Sequence, residues 1–302
     1  MGIPLGKDSE PNQYTDLELV NTEIVDALGK FEVYEDKKNG KVYLVFQSSY
    51  SITNVEMTES SVTQLKKIES IHSCCSLISY TVSKSNVLCF DNFSINLCFE
   101  YYNSNMQSEI EKKVVGTQIH ESEIWGIIED LVNYLVELKH FELHHGDLQP
   151  KHILFNKNRV VKVLCPLIYT TFENAYKLKL ANNSYKSIYS PEELALYENR
   201  VHNADLNLSK CDIFALGLCI LCYTRSLNYE RFYDFGWKKI EMDLLKKESA
   251  KILQENKLSE ELFFFVNVCT KQDPTERADF ELLLKIISKK RQKSKSDDKI
   301  YW

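Results

Sequence analysis

An uninterrupted apolar run from Ile213 to Tyr223 constrains this chain more than any other feature. A helix over this run has no polar face, so other elements have to surround it on every side. The run is far shorter than the roughly 20 residues that a membrane-spanning helix needs. It therefore predicts a central helix inside a large domain, and 302 residues provide enough chain for such a core. We predict no membrane span.

Composition narrows the functional classes. A hydrophobic fraction of 44% with 26% charged residues is typical of a globular protein, and a net charge of −6 argues against a nucleic-acid-binding protein. The nine cysteines are an odd number, and the first seven residues lack the apolar core of a secretory signal. We therefore expect reduced thiols and an intracellular protein, cytoplasmic or cytoskeletal, with a cilium as one possible site.

Polar residues cluster between His145 and His152, directly after a predicted helix. Isoleucine and leucine recur at helical spacing from Glu121 to Phe141, which predicts a long helix that leads into this loop. After the loop, residues 160–164 are apolar and β-branched like a short strand. A helix, a polar loop and a strand thus follow one another.

The loop from His145 to Phe155 resembles the catalytic loop of the eukaryotic protein kinases, which reads H-R-D-L-x-x-x-N. Asp147 stands at the position of the family's catalytic aspartate. Four further landmarks of the family follow in order, and the resemblance covers about residues 25 to 287. They are Cys165 to Leu167 at the D-F-G position, Ser190 to Glu192 at A-P-E, Asp212 to Gly217 at D-x-W-S-x-G and Asp273 to Arg277 at D-P-x-x-R.

The resemblance implies the α+β class and a bilobal kinase-like fold, with a small β-rich N-lobe and a larger, mainly helical C-lobe. The expected units are an N-terminal arm (1–20), the N-lobe (21–102), the C-lobe (103–288) and a basic C-terminal tail (289–302). Three framework residues match the family. Glu192 and Arg277 resemble a buried ion pair, and Asp212 resembles the acid that holds the backbone of the catalytic loop.

The groups that bind magnesium and phosphate in kinases have no counterpart at the matching positions. The strand lysine is replaced by Phe46, the metal-binding asparagine by His152 and the metal-binding aspartate by Cys165. A thiol is too soft a ligand for magnesium, and a phenyl ring has no donor for phosphate. If each loss costs about 3 kcal/mol, turnover falls by six to seven powers of ten.

Large side chains also occupy the positions that form the nucleotide site in kinases. Gly29 is the one glycine left of the three in the family's phosphate loop, and Phe31 adds a ring there. Leu44 stands where kinases keep an alanine against adenine, in a strand predicted from Lys41 to Phe46. The sequence therefore predicts a pseudokinase, with no catalytic residue, no cofactor and no metal, in which Asp147 has a structural role.

Two alternatives stay open. One is a divergent active Ser/Thr kinase that uses Asp147 with Lys30 in place of the strand lysine. The other is a switch that binds a nucleotide without turnover.

We expect a non-catalytic structural or scaffolding role with protein partners in a larger assembly, for which a cytoskeletal assembly is one candidate. Residues 289–299 carry six lysines and arginines against two aspartates, so the tail is either solvated or in contact with an acidic surface.

Overall fold

The computed structural model describes residues 17–26, 29–51, 67–87, 90–102, 104–113, 119–156, 158–164, 186–198, 206–236, 239–255 and 257–297. The protein belongs to the α+β class, as predicted from the sequence. Residues 17–100 contribute an antiparallel sheet, and residues 106–297 contribute mainly helices.

Five strands form the large sheet, in the spatial order β1-β2-β3-β5-β4 with antiparallel neighbours throughout. The strand predicted from Lys41 to Phe46 is the first half of β3. The sequence Asn39-Gly40 lies in the turn before it, where Gly40 has a φ of +66°. The strands are β1 (Leu17–Asp26), β2 (Gly29–Asp36), β3 (Val42–Ser51), β4 (Leu77–Val87) and β5 (Phe90–Glu100).

Shorter strands form two small sheets. Ser104–Asn105 (β6), Ile153–Phe155 (β7) and Val161–Val163 (β8) make one, and β7 and β8 flank the turn that follows the polar loop. Tyr233–Asp234 (β9) pairs with Lys239–Ile240 (β10) in the other.

Seven α-helices lie in the described ranges. Most of them pack around α4, whose side chains from Cys211 to Thr224 are all buried, as the unbroken apolar run predicts. The helix predicted from Glu121 to Phe141 is α2 and ends at His140. The helices are α1 (Met106–Lys112), α2 (Glu121–His140), α3 (Pro191–Glu198), α4 (Leu208–Arg225), α5 (Met242–Gln254), α6 (Glu260–Cys269) and α7 (Phe280–Asp297).

Two predictions about helices differ from the structure or are only partly covered by it. The predicted boundary between C-lobe and tail, at residue 288, falls inside α7, which continues to Asp297. The three-residue spacing of Leu65, Ile68 and Ile71 also predicts a helix over residues 62–71, of which the structure describes 67–71, and of these only residues 67 and 68 are helical. Among the helices of the described ranges, none is both long enough and apolar enough to cross a bilayer.

Gly217 allows α4 and α6 to approach each other closely. A Cβ atom at residue 217 would lie 2.4 Å from the Cβ of Cys269 and 2.9 Å from the Cγ2 of Thr270. These distances are shorter than any van der Waals contact, so the two helices would have to separate.

We predict that Gly217→Ala lowers the free energy of unfolding by about 1–3 kcal/mol, the usual cost of overpacking a core. Gly126→Ala is the matched control, because Gly126 lies in α2 with no atom within 4 Å of an added Cβ. The control should be neutral or stabilising by up to about 1 kcal/mol. Urea titration of both variants measures this difference, and equal midpoints would disprove the close contact.

Candidate functional site

The polar loop from His145 to His152 is tied to the central helix by Asp212. The two carboxylate oxygens of Asp212 accept the backbone N–H groups of His145 and Gly146, each at 2.9 Å. Asp212 is only 3% exposed, so these hydrogen bonds satisfy a buried charge. Gly146 has a φ of +73°, a conformation that residues with a side chain rarely adopt.

Asp147 is buried within this loop, with 2% of its surface exposed. Its Oδ1 accepts a hydrogen bond from Gln149 Nε2 at 2.8 Å and another from the hydroxyl of Ser187, a residue 40 positions away. The backbone N–H of Asp147 donates to Nδ1 of His145 at 3.2 Å. The carboxylate therefore joins the loop to the segment that begins at Lys186.

The two histidines of the loop hold its backbone. Nε2 of His145 donates to the carbonyl of Leu164 at 3.2 Å, which fits an imidazole whose single proton is on Nε2. Nδ1 of His152 lies 2.7 Å from the carbonyl oxygen of Asp147. Both rings are at least 98% buried. At the position where the kinase resemblance expects a magnesium ligand, the Nδ1 atom thus bonds a backbone carbonyl.

No group of three or more metal-binding side chains occurs among the residues that the structure describes. Cys165, the other expected metal position, lies outside those residues, which stop at Leu164 and resume at Lys186. Cys219 and Cys222, both in α4, are fully buried, and burial raises the pKa of each thiol. They are core thiols.

An apolar row crosses the sheet at the predicted nucleotide slot. Val33 lies opposite Leu44, and Leu44 lies opposite Phe99. These three side chains are 2%, 3% and 1% exposed, so the row is covered by protein atoms.

The predicted lysine position lies two rows along the register from Leu44. Phe46 lies opposite Phe31 on one side and Leu97 on the other. Lys30 lies opposite Gln47 in the same pair of strands, and Gly29 closes the hairpin opposite Asp26. Phe46 is two residues after Leu44 in β3, so the two positions belong to the same face of the sheet.

Arg277 and Glu192 form the ion pair that the resemblance implies. The guanidinium donates to Glu192 at 2.7 and 3.0 Å, and its side chain is fully buried. Burial alone would raise the pKa of Glu192, but hydrogen bonds from Arg277 outweigh it and hold that pKa below its usual value. Further hydrogen bonds from Arg277 reach the carbonyls of Lys210, Lys271 and Gln272, and the ring of Phe214 lies 5.0 Å from the guanidinium.

Sequence reasoning missed the residues that anchor the chain after Lys186. Tyr233 accepts the N–H of Tyr189 at 3.1 Å through its hydroxyl oxygen and donates to the Tyr189 carbonyl at 2.7 Å. The hydroxyl of Tyr229 donates to the carbonyl of Lys186 at 3.1 Å. The four-residue spacing of the two tyrosines was a weak signal, and nothing in the sequence near Ser187 indicated its contact with Asp147.

Comparison with known proteins assigns no family. No family model matches the chain, and no curated protein matches it either. The site therefore has to be interpreted from its own geometry.

We predict that Arg277→Ala lowers the free energy of unfolding by about 3–5 kcal/mol, because it leaves the carboxylate of Glu192 without its cation. Lys239→Ala is the control: it removes an ion pair with Glu241 whose side chains are largely exposed, and it should cost less than about 1 kcal/mol. Differential scanning calorimetry compares the two. A melting temperature of Arg277→Ala within about 2 °C of the unmodified chain would contradict the role of the pair.

We predict that Ser187→Ala destabilises the protein by about 1–3 kcal/mol, because the buried carboxylate of Asp147 loses a donor. Ser122→Ala is the control, since Ser122 is exposed in the first turn of α2 and its hydroxyl lies 3.1 Å from Nδ1 of the nearby His120. That change should stay within about 0.5 kcal/mol. Chemical denaturation would reject the role of Ser187 if both variants unfold at the same midpoint.

Proposed function

We propose that the protein is a pseudokinase, a bilobal kinase-like fold that binds other proteins and does not transfer phosphate. The order of the motifs supports this, together with an antiparallel sheet that precedes a helical part in the chain. The framework contacts of Asp212, Glu192 and Arg277 are those that the resemblance implies.

The observation that carries the proposal is the environment of Asp147. A catalytic base has to reach a substrate hydroxyl, within about 2.6–3.2 Å or through one water molecule. The carboxylate of Asp147 is instead 98% buried and accepts hydrogen bonds from Ser187 and Gln149. These contacts support a structural role for the residue.

The apolar row of the sheet supports the absence of nucleotide binding. A bound triphosphate needs cations and backbone donors around it, and it needs space for the base. Val33, Leu44 and Phe99 provide neither donors nor open surface. Phe46 adds a further residue without a donor at the position of the strand lysine.

A scaffolding role fits a protein that has the framework contacts of the fold but lacks the catalytic and nucleotide-binding groups. The contacts of Asp212, Glu192 and Arg277 hold separate parts of the chain together, and partners commonly bind such preformed surfaces with little change of shape. We therefore propose that the protein acts within a larger intracellular assembly of proteins, with cytoskeletal and ciliary assemblies as the candidates.

We predict that ATP does not raise the melting temperature at 10 mM, with or without magnesium. A binder with a Kd of about 0.1 mM would gain about 2.7 kcal/mol at that concentration, a shift of several degrees. Differential scanning fluorimetry on the full chain measures it. A shift that needs magnesium would favour the divergent kinase, and a shift without magnesium would favour the nucleotide switch.

Lys30→Ala separates the two ways in which this prediction can fail. If ATP binds through Lys30, the variant loses the shift, and phosphate transfer to a generic substrate protein should be measurable in the unmodified chain. If the variant keeps the shift, the nucleotide binds without that cation.

A further inference from the structure

Helix α7 changes character after Ile287. Leu283, Ile286 and Ile287 are at most 9% exposed and fix the first half of the helix to the core. Residues 288–297, which we call the basic strap, are all polar in sequence but remain helical. The basic strap therefore has no apolar side chain with which to anchor itself.

Glutamates of the same chain pair with three cations of the basic strap. Lys290 Nζ lies 3.0 Å from Glu121 Oε1 on α2 and 5.6 Å from the ring of Trp125. Two further cations of the strap form ion pairs with glutamates on α2 and α6. These pairs are Arg291 with Glu129 and Lys293 with Glu261.

The three ion pairs differ in their burial and in the number of hydrogen bonds that support them. Burial alone would raise the pKa of Glu121, but hydrogen bonds from Ser259, Trp125 and Lys290 outweigh it and lower that pKa to about 2. Glu121 is therefore a fixed part of the junction between α2 and α6.

The other two pairs are open to water. The side chains of Arg291 and Lys293 are 62% and 68% exposed, and those of their partners Glu129 and Glu261 are 25% and 37% exposed. Ion pairs of this kind contribute little to stability and weaken as salt increases. The outer part of the strap is thus held by contacts that another anion can replace.

We propose that the basic strap exchanges its cations between Glu129 and Glu261 of its own chain and an acidic helical surface on a partner protein. The inference rests on the proposed scaffolding function, because it names the chemistry of one partner.

Two observations point to this partner. In the structure the strap's cations already bind carboxylates that project from helices, so a partner helix with glutamates or aspartates offers the same ligands. Residues 289–299 also carry six cations against two aspartates, a net positive charge that complements an acidic partner once the exposed pairs open.

The first test measures release of the strap in the full chain. In Glu129→Gln/Glu261→Gln the exposed pairs are lost, and cleavage by trypsin after residues 289–293 should become about two to thirty times faster. Glu241→Gln/Glu281→Gln is the matched control, because it removes the same charge from glutamates that pair with Lys239 and Lys285. Equal cleavage rates in the two double variants would overturn the proposal.

The second test measures the exchange itself, with poly-L-glutamate as the probe and fluorescence anisotropy as the measurement. Glu129→Gln/Glu261→Gln should bind the probe more tightly by the same factor as in the first test, and the control double variant should bind like the unmodified chain. Arg291→Gln/Lys293→Gln should reduce binding. Equal affinity in the first variant and the control would show that the two sets of contacts do not compete.

Two further probes test the class of partner. Vesicles of phosphatidylserine and a duplex RNA should bind more weakly than poly-L-glutamate at 0.15 M salt, and tighter binding of either would overturn the choice of a protein partner. None of these measurements depends on ATP. The strap and the pseudokinase assignment can therefore fail separately.

Discussion

Burial of α4 from Cys211 to Thr224 is the constraint on which the rest of the helical part depends. Because no face of this stretch meets water, each neighbour has to contact it closely, and polar groups on it need partners inside the protein. Asp212 finds its partners in the N–H groups of the polar loop, and the carbonyl of Lys210 finds one in Arg277. The same helix thus positions both the candidate site and the buried ion pair.

Local sequence patterns predicted the helices that have a regular apolar spacing and the contacts of residues that belong to a motif. The spacing of apolar residues predicted α2 and α4, and the kinase-like motifs singled out Asp212, Glu192 and Arg277 for the roles that their contacts now support. The bonds of Ser187 to Asp147 and of Tyr233 to Tyr189 span 40 and 44 residues. Such hydrogen bonds depend on which distant segments the tertiary fold brings together. A single serine or tyrosine in the sequence does not indicate this.

The charge pattern of the sequence predicted that the basic tail contacts water or acidic groups, but it did not predict which acidic residues these are. The excess of lysine and arginine after residue 288 suggested a solvated tail or an acidic contact, and the structure places three of these cations on glutamates of α2 and α6. The glutamates lie 32 to 169 residues away in sequence, so counting charges along the chain does not pair them. A helix that continues past its apolar half explains how the cations reach them.

An aspartate at a position that resembles the catalytic one of kinases does not by itself indicate catalysis. In a buried network, removing one member leaves its partners without hydrogen bonds, and each orphaned group costs about 1–3 kcal/mol. Loss of the Asp147 carboxylate would leave Gln149 and Ser187 without their common acceptor. Since a marginally stable domain has only about 5–15 kcal/mol in total, stability alone is sufficient reason for an aspartate at this position. The same argument does not apply to groups that face a ligand, because a fold loses little stability when such a group is changed.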